Sequence, residues 1–326
     1  MKIITFFNNK GGVGKTTLVY HFTHMMAELG HKCLAVDLDP QTNLTSMFLP
    51  DEELERIYSQ ELNRETLLSG IKPLDRGLGD IEPVKIQEVT SNIGLLAGDL
   101  ELSLFEDKLS SNWSKCIDGD EAAFRIVSSF YRIILEASAK FEAEYCIIDV
   151  GPNFGALNRA VLIAADYVVV PMAADLFSLQ GLKNLGNRLG TWKTEWEDRF
   201  SRNRTSDLML PNGLIKPLGY IVMQHGIKES RPVQSYLKWA NRIPEVFEEY
   251  VLKKSLKSEM KIENDENCLA LLKHYHSLIP MAMEVRKPIF LLKPADGAIG
   301  AHYQAVQRSY QDFKQLTKRI ISKMAE

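Results

Sequence analysis

Eight consecutive residues carry the densest chemistry in the chain: Lys10, Gly11, Gly12, Val13, Gly14, Lys15, Thr16 and Thr17, close behind the apolar run Ile3-Ile4-Thr5-Phe6-Phe7. Glycines let backbone N–H groups approach a polyphosphate closely, and a helix that starts just after them adds its positive N-terminal end. Lys15 is placed to neutralise β/γ oxygens, the Thr16 hydroxyl to reach Mg2+, and Thr17 to bond nearer the α-phosphate. The loop has the required context, an apolar strand before it and the helix-like run Leu18 to Leu29 after it. The general pattern G-x-x-x-x-G-K-[ST] is met only at its end. Gly14-Lys15-Thr16 fits, Asn9 stands where the first glycine belongs, and Lys10 precedes the glycine pair. This is a deviant phosphate loop with one lysine more than binding requires.

Two further segments end in acids. Lys32-Cys33-Leu34-Ala35-Val36-Asp37-Leu38-Asp39-Pro40-Gln41 and Tyr145-Cys146-Ile147-Ile148-Asp149 read as buried strands, because strands covered on both faces are continuously apolar. Carboxylates at their C-terminal ends face the crevice where open α/β sheets bind ligands. Asp149 is the expected outer ligand of a Mg2+ ion, as in a Walker B motif. A strand-end Asp can equally cap a helix, so the weight rests on three such sites in this order.

These three segments, KGGVGKTT, VDLDPQTN and IIDVGPN, resemble the nucleotide motifs of the ParA/MinD group of deviant Walker ATPases, in the ParA (Soj-like) branch. Looser likenesses run on to the end of the chain. They are Ile93 to Gly98, Val168 to Met172 with Ser178 to Leu182, and Ile279-Pro280, taken as a late strand, with Arg286-Lys287-Pro288-Ile289. The resemblance implies a P-loop NTPase fold of the deviant Walker A type. It implies ATP and Mg2+ as cofactors, an ATP-dependent homodimer, nonspecific DNA binding and a ParB-like or other activating protein partner. It makes Lys10 the lysine that crosses to the partner's phosphates and Asp39 the residue that positions water and stands near the metal. Asp37 falls to a structural, metal-proximal shell, and Met223, Gln224 and Pro280 to the side of the base. Where many relatives carry two prolines after the Walker B acid, this chain has Gly151-Pro152, which leaves that segment more flexible.

The elements that position these residues alternate strand and helix. They predict an α/β fold with a doubly wound, mostly parallel sheet flanked by helices, in one domain over residues 1–326. Composition agrees: 326 residues, 45% hydrophobic and 25% charged, suit an ordinary globular chain. The start is a strand interrupted by Lys10 and Lys15 rather than a secretory signal, and no helix-turn-helix module precedes it, so any DNA binding is expected to ignore sequence. No apolar run spans a bilayer; Asp166 breaks the best one, Val161 to Ala174. Four cysteines without C-x-x-C spacing fit a reducing cytoplasm and argue against the relatives that hold an iron–sulfur cluster.

A net charge of −3 gives no overall basic field, but its distribution is uneven. Asp51 to Asp107 holds 14 acidic and 5 basic side chains. Lys183 to Arg204 holds 6 basic (Lys183, Arg188, Lys193, Arg199, Arg202, Arg204) against 3 acidic, and the last helix adds Arg308, Lys314, Lys318, Arg319 and Lys323. Each cluster is either a phosphate contact or a solvated helix face. Two regions read as insertions: 51–93, and 226–277, where Pro232 to Tyr250 is expected as a broken helix and Leu252 to His276 as a charged helical hairpin. His274 and His276 do not converge on a helix, so no metal site is expected there. Phe313, Leu316, Ile320, Ile321 and Met324 share one face of the last helix, which either packs on the sheet or, as in a MinD-like regulator, meets a membrane. The remaining alternatives are a metabolic ligase on the same scaffold, disfavoured by Lys10 with VDLDPQ, and an ATPase subunit of a larger assembly.

Overall fold

The computed structural model describes residues 1–59, 64–224, 232–254, 260–273, 275 and 277–326, with backbone alone at 224 and 232–235. Eight strands form one sheet: β1 (Lys2–Phe6), β2 (Cys33–Leu38), β3 (Gln87–Thr90), β4 (Ile93–Leu96), β5 (Tyr145–Val150), β6 (Tyr167–Ala173), β7 (Lys216–Gln224) and β8 (Cys268–Lys273). Their order is β3-β4-β2-β5-β1-β6-β7-β8. Every pairing is parallel except β3 with β4. This is the doubly wound sheet expected. The chain works outward from β1 to one edge, returns in β5, then crosses β1 to build β6, β7 and β8. Ligands bind such sheets where the winding reverses, beyond the carboxyl ends of the strands.

Among the described residues the helices are α1 (Lys15–Glu28), α2 (Asn43–Phe48), α3 (Asp51–Tyr58), α4 (Leu67–Asp75), α5 (Leu102–Lys115), α6 (Glu121–Val127) and α7 (Ser129–Phe141). After β5 come α8 (Ala156–Ala164), α9 (Leu176–Arg202), α10 (Pro232–Ala240), α11 (Ile243–Val246), α12 (Leu278–Glu284) and α13 (Ala301–Ala325). Alternation along β1 divides the core. Ile3 and Phe7 face Phe105, Phe130, Leu157 and Leu182 of α5, α7, α8 and α9. Ile4 and Phe6 face Phe22, Met25, Phe313 and Ile320 of α1 and α13. Trp113, Phe124 and Trp196 close a smaller core between α5, α6 and α9.

Three sequence expectations change. Residues 268–273, expected in a helical hairpin, are the edge strand β8, paired with β7 from Tyr220↔Cys268 to Gln224↔Lys273. Ile279-Pro280, expected as the late strand, lies in α12 instead. Charged neighbours such as Glu263, Asp265 and Glu266, with Lys273 at its own end, masked β8, because an edge strand need bury only part of its residues. Arg199, counted in the basic cluster, is buried. Its Nε donates to the Trp113 carbonyl (2.8 Å) and its guanidinium stacks on the Trp113 ring. On α13, Phe313, Leu316, Ile320 and Met324 are buried against the sheet. Lys2 Nζ and the Tyr167 hydroxyl both donate to the Met324 carbonyl, fixing the end of that helix to β1 and β6. His274, His276 and the Gln224 side chain lie outside the described residues.

Candidate functional site

The loop between β1 and α1 is built around Gly14. With φ +80° it occupies the left-handed region that glycine enters without strain, and it stands at the N-cap of α1. No side chain caps α1 and no acid occupies its first turn, so its first N–H groups are left available to an anion. Gly11 and Gly12 are exposed, Val13 is buried, and Thr16 and Thr17 are half-buried. Lys15 is only 7% exposed. Burial lowers its pKa, and the facing carboxylates of Asp149 and Asp39 offset part of that.

The acids sit where the strand reading puts them. Asp37 and Asp149 are register partners on β2 and β5, both fully buried. Their environments differ. Asp37 Oδ2 accepts from the Thr45 N–H (2.8 Å) and hydroxyl (2.7 Å), and Oδ1 from the Asp39 N–H (3.3 Å). Thr45 Oγ1 in turn accepts from the Gly98 N–H (2.9 Å). Asp37 is thus a structural brace joining α2 to the end of β4. Both oxygens of Asp149 are buried with no hydrogen-bond partner among the described residues. Burial first, then the Asp37 charge, pushes the Asp149 carboxyl far above the carboxylate range, although Thr16 and Lys15 pull it back in part. A buried acid left without partners is costly. A divalent cation would satisfy it, so these residues fit Mg2+.

Asp39 is 7% exposed, with Oδ1 accepting from the Gln41 N–H (3.0 Å). A Cβ built on Gly151 would stand 3.3 Å from that same oxygen, and one on Gly11 would stand 3.9 Å from Pro152. The three segments therefore converge: the phosphate loop lies beside the turn after β5, and that turn lies beside Asp39. On the other side, a cavity of about 140 Å³ is lined by Val13, Gly14, Thr17, Met223, Lys273 and Tyr275, among others. Pro280 is exposed on α12 and does not line it; its neighbour Ile279 does. The wall of this cavity includes Lys273, at the end of β8, and Tyr275 just beyond it, neither of which the sequence reading singled out.

His21 was missed too. Its ring Nδ1 donates to the Thr17 carbonyl (2.7 Å) and Nε2 accepts from the Ile289 N–H (3.1 Å), while its face stacks on Phe313. Burial holds its pKa down at about 4, so the ring is neutral and this tautomer is fixed. It braces the first turn of α1 from below. A lone histidine in a helical run gives no sequence sign of that role.

Comparison with known proteins places this geometry. A family model described as "AAA domain" matches residues 1–201. The sporulation initiation inhibitor protein Soj of Bacillus subtilis is 30% identical over 188 residues, covering 57% of this chain and 64% of Soj. The chain spans less than two thirds of the length of several curated relatives it matches. Among solved structures, the protein DIP2308 from Corynebacterium diphtheriae superposes with a TM-score of 0.74 at 23% identity, covering 99% of each chain. A variant of Cyanothece McdA in complex with ATP superposes with a TM-score of 0.66 at 17% identity, covering 100% of this chain and 96% of that one.

Proposed function

Because the chain belongs to this AAA-domain family, and within it to the ParA/MinD group of deviant Walker ATPases on its Soj-like branch, we propose that it is an ATP-dependent dimerisation switch that positions DNA or another cargo. ATP binds at the Lys10–Thr17 loop, with its base toward Met223, Gln224, Lys273 and Tyr275. Thr16, Asp149 and Asp39 hold Mg2+, which supplies charge neutralisation at the phosphates. Lys15 carries the facing positive charge. Asp39, on the turn that touches Gly151, orients the attacking water. Lys10 contacts the phosphates held by a second copy. The dimer binds DNA without sequence preference, hydrolyses ATP slowly, and is released when a partner protein stimulates it.

The observation that carries this reading is the pair of unpartnered Asp149 oxygens, buried beside Thr16 and Lys15 at the head of an uncapped helix. The covered apolar face of α13 favours packing over a membrane role, and no helix among the described residues is long and apolar enough to cross a membrane. The test is to separate binding from hydrolysis by titrating fluorescent ATP and measuring phosphate release. Lys15→Ala should weaken MgATP binding at least about a hundredfold, consistent with loss of a buried charge contact of ~3 kcal/mol. Asp39→Ala should bind normally and release phosphate at least about a hundredfold more slowly. Equal loss of binding in both would refute the assigned roles.

A further inference from the structure

The turn that carries Asp39 is strained, and it is held from outside the three nucleotide motifs. Thr42 stands at the N-cap of α2 with φ +54° and ψ +26°, in the left-handed region that a β-branched residue rarely enters. Its N–H donates to the Asp39 carbonyl (2.9 Å) and its carbonyl accepts from the Ser46 N–H (3.1 Å), so the conformation of Thr42 fixes how the Asp39 turn meets the helix. The Thr42 side chain does not cap α2. It bonds instead to the hydroxyl of Tyr58, the last residue of α3. That hydroxyl donates in turn to the Gly98 carbonyl (2.8 Å). Gly98 is wedged against the same site. Its N–H donates to Thr45, which binds Asp37, and a Cβ built on it would stand 2.9 Å from the Asp37 carbonyl oxygen. The next residue, Asp99, is fully buried and accepts from Arg64 (3.1 Å) and Thr66 (2.9 Å). Two points of the 51–93 insertion, Tyr58 and the stretch Arg64 to Thr66, are therefore anchored just past the end of β4, beside the Asp39 turn.

We propose that Tyr58 is a positioning residue for hydrolysis, its hydroxyl holding Thr42 in the left-handed conformation from which the turn aims Asp39 at the attacking water. The inference rests on the reading of Asp39 given above and adds a residue of the insertion to its support. Tyr58 suits the role. Its ring packs against the core shared by α1, α2 and α13, so the hydroxyl is presented from a fixed base. Burial pushes its pKa up to about 12, so it stays protonated and keeps donating to Gly98 through the neutral range. Without the hydroxyl, Thr42 is free to relax toward the negative φ that its side chain prefers, and the Asp39 carbonyl bound to its N–H moves with it. Phosphoryl transfer is sensitive to small shifts of this kind, because positioning supplies much of the catalysis. The phosphate loop lies outside this chain of contacts, so nucleotide binding is spared.

Tyr58→Phe removes the hydroxyl and keeps the ring. Titration of fluorescent ATP and single-turnover phosphate release give the two readouts. Tyr58→Phe should bind MgATP within about twofold of the wild type and release phosphate about tenfold more slowly. Adding Thr42→Gly should rescue it to within about threefold of the wild-type release rate, because glycine holds the left-handed conformation without a brace. A wild-type release rate in Tyr58→Phe overturns the proposal. So does a parallel loss of binding, release and melting temperature, which marks a merely structural residue, and so does a double variant as slow as Tyr58→Phe. Asp39→Ala measured alongside separates the two readings. If it is slow and Tyr58→Phe is not, only the Tyr58 role falls; if it releases phosphate at the wild-type rate, the Asp39 reading falls and the Tyr58 role with it.

Discussion

Three carboxylates close together do three different things because their partners differ. Asp37 is fully bonded and braces α2, Asp39 is held at the edge of the turn, and Asp149 has no partner among the described residues. The raised acids make a stability prediction. A carboxyl whose folded pKa lies above its unfolded value stabilises the protein fully below the unfolded pKa and loses that contribution as pH rises through the folded one. For Asp37 and Asp149 that window runs from the ordinary carboxylate range up to about 7 and about 8. The nucleotide-free protein should therefore lose melting temperature as pH is raised across that window, and Mg2+ with nucleotide should flatten the slope. Asp149→Asn should be more stable than the wild type at pH 8 without nucleotide, by about 1–3 kcal/mol, yet lose Mg2+-dependent nucleotide binding. Chemical denaturation at pH 5 and pH 8 checks both. These acids and the loop lysines were legible in the sequence because each motif is contiguous. His21 and Tyr58 were not, since their partners, Ile289 and Gly98, are 268 and 40 positions away.

Among the elements, α9 carries the most information. Its buried face packs through two glycines against two different neighbours. A Cβ at Gly186 would stand 2.1 Å from the Tyr250 carbonyl oxygen, which is backbone and cannot step aside. Gly186→Ala should cost about 1–3 kcal/mol of stability, read as a lower melting temperature. At Gly181 the obstacle is the Asn9 side chain in the phosphate loop, so Gly181→Ala should leave the melting temperature nearly unchanged and weaken ATP binding about tenfold. Swapped phenotypes would mean that α9 does not support the loop. The strands β1, β2, β5 and β6 were readable because apolar runs between turn signals have few alternatives. β8 was not, because its short apolar run Cys268–Leu272 lies inside a charged stretch that reads as helix. The amphipathic pattern of α13 was readable, but its two explanations, packing and membrane contact, share one periodicity. Only the position of the sheet, and the tie from Met324 back to Lys2 and Tyr167, separates them. Deleting 314–326 should therefore yield a protein that fails to show a cooperative melt.

For the whole molecule, charge placement matters more than net charge. Much of the acidic excess between Asp51 and Asp107 is used internally: Glu65 binds Arg56 and Lys85, Asp80 binds Arg125 and Arg132, and Asp99 binds Arg64. The exposed bases of α9 (Arg188, Lys193, Arg202, Arg204 just beyond it) and those of α13 (Arg308, Lys318, Arg319) belong to helices on opposite faces of the sheet. One subunit therefore cannot present both clusters to one stretch of phosphate backbone. Pairing two copies doubles whichever face is used, so DNA binding is expected to depend on ATP. Binding of Asp39→Ala to unrelated duplexes in MgATP should fall at least about tenfold between 50 and 200 mM salt.

The most direct test of the switch is the solution mass of the Asp39→Ala chain by light scattering, with MgATP, with MgADP and without nucleotide. A dimerisation switch gives twice the 37.0 kDa of the single chain in MgATP alone, and the single-chain mass in the other two conditions. A single-chain mass in MgATP, while titration shows the nucleotide bound, would contradict it.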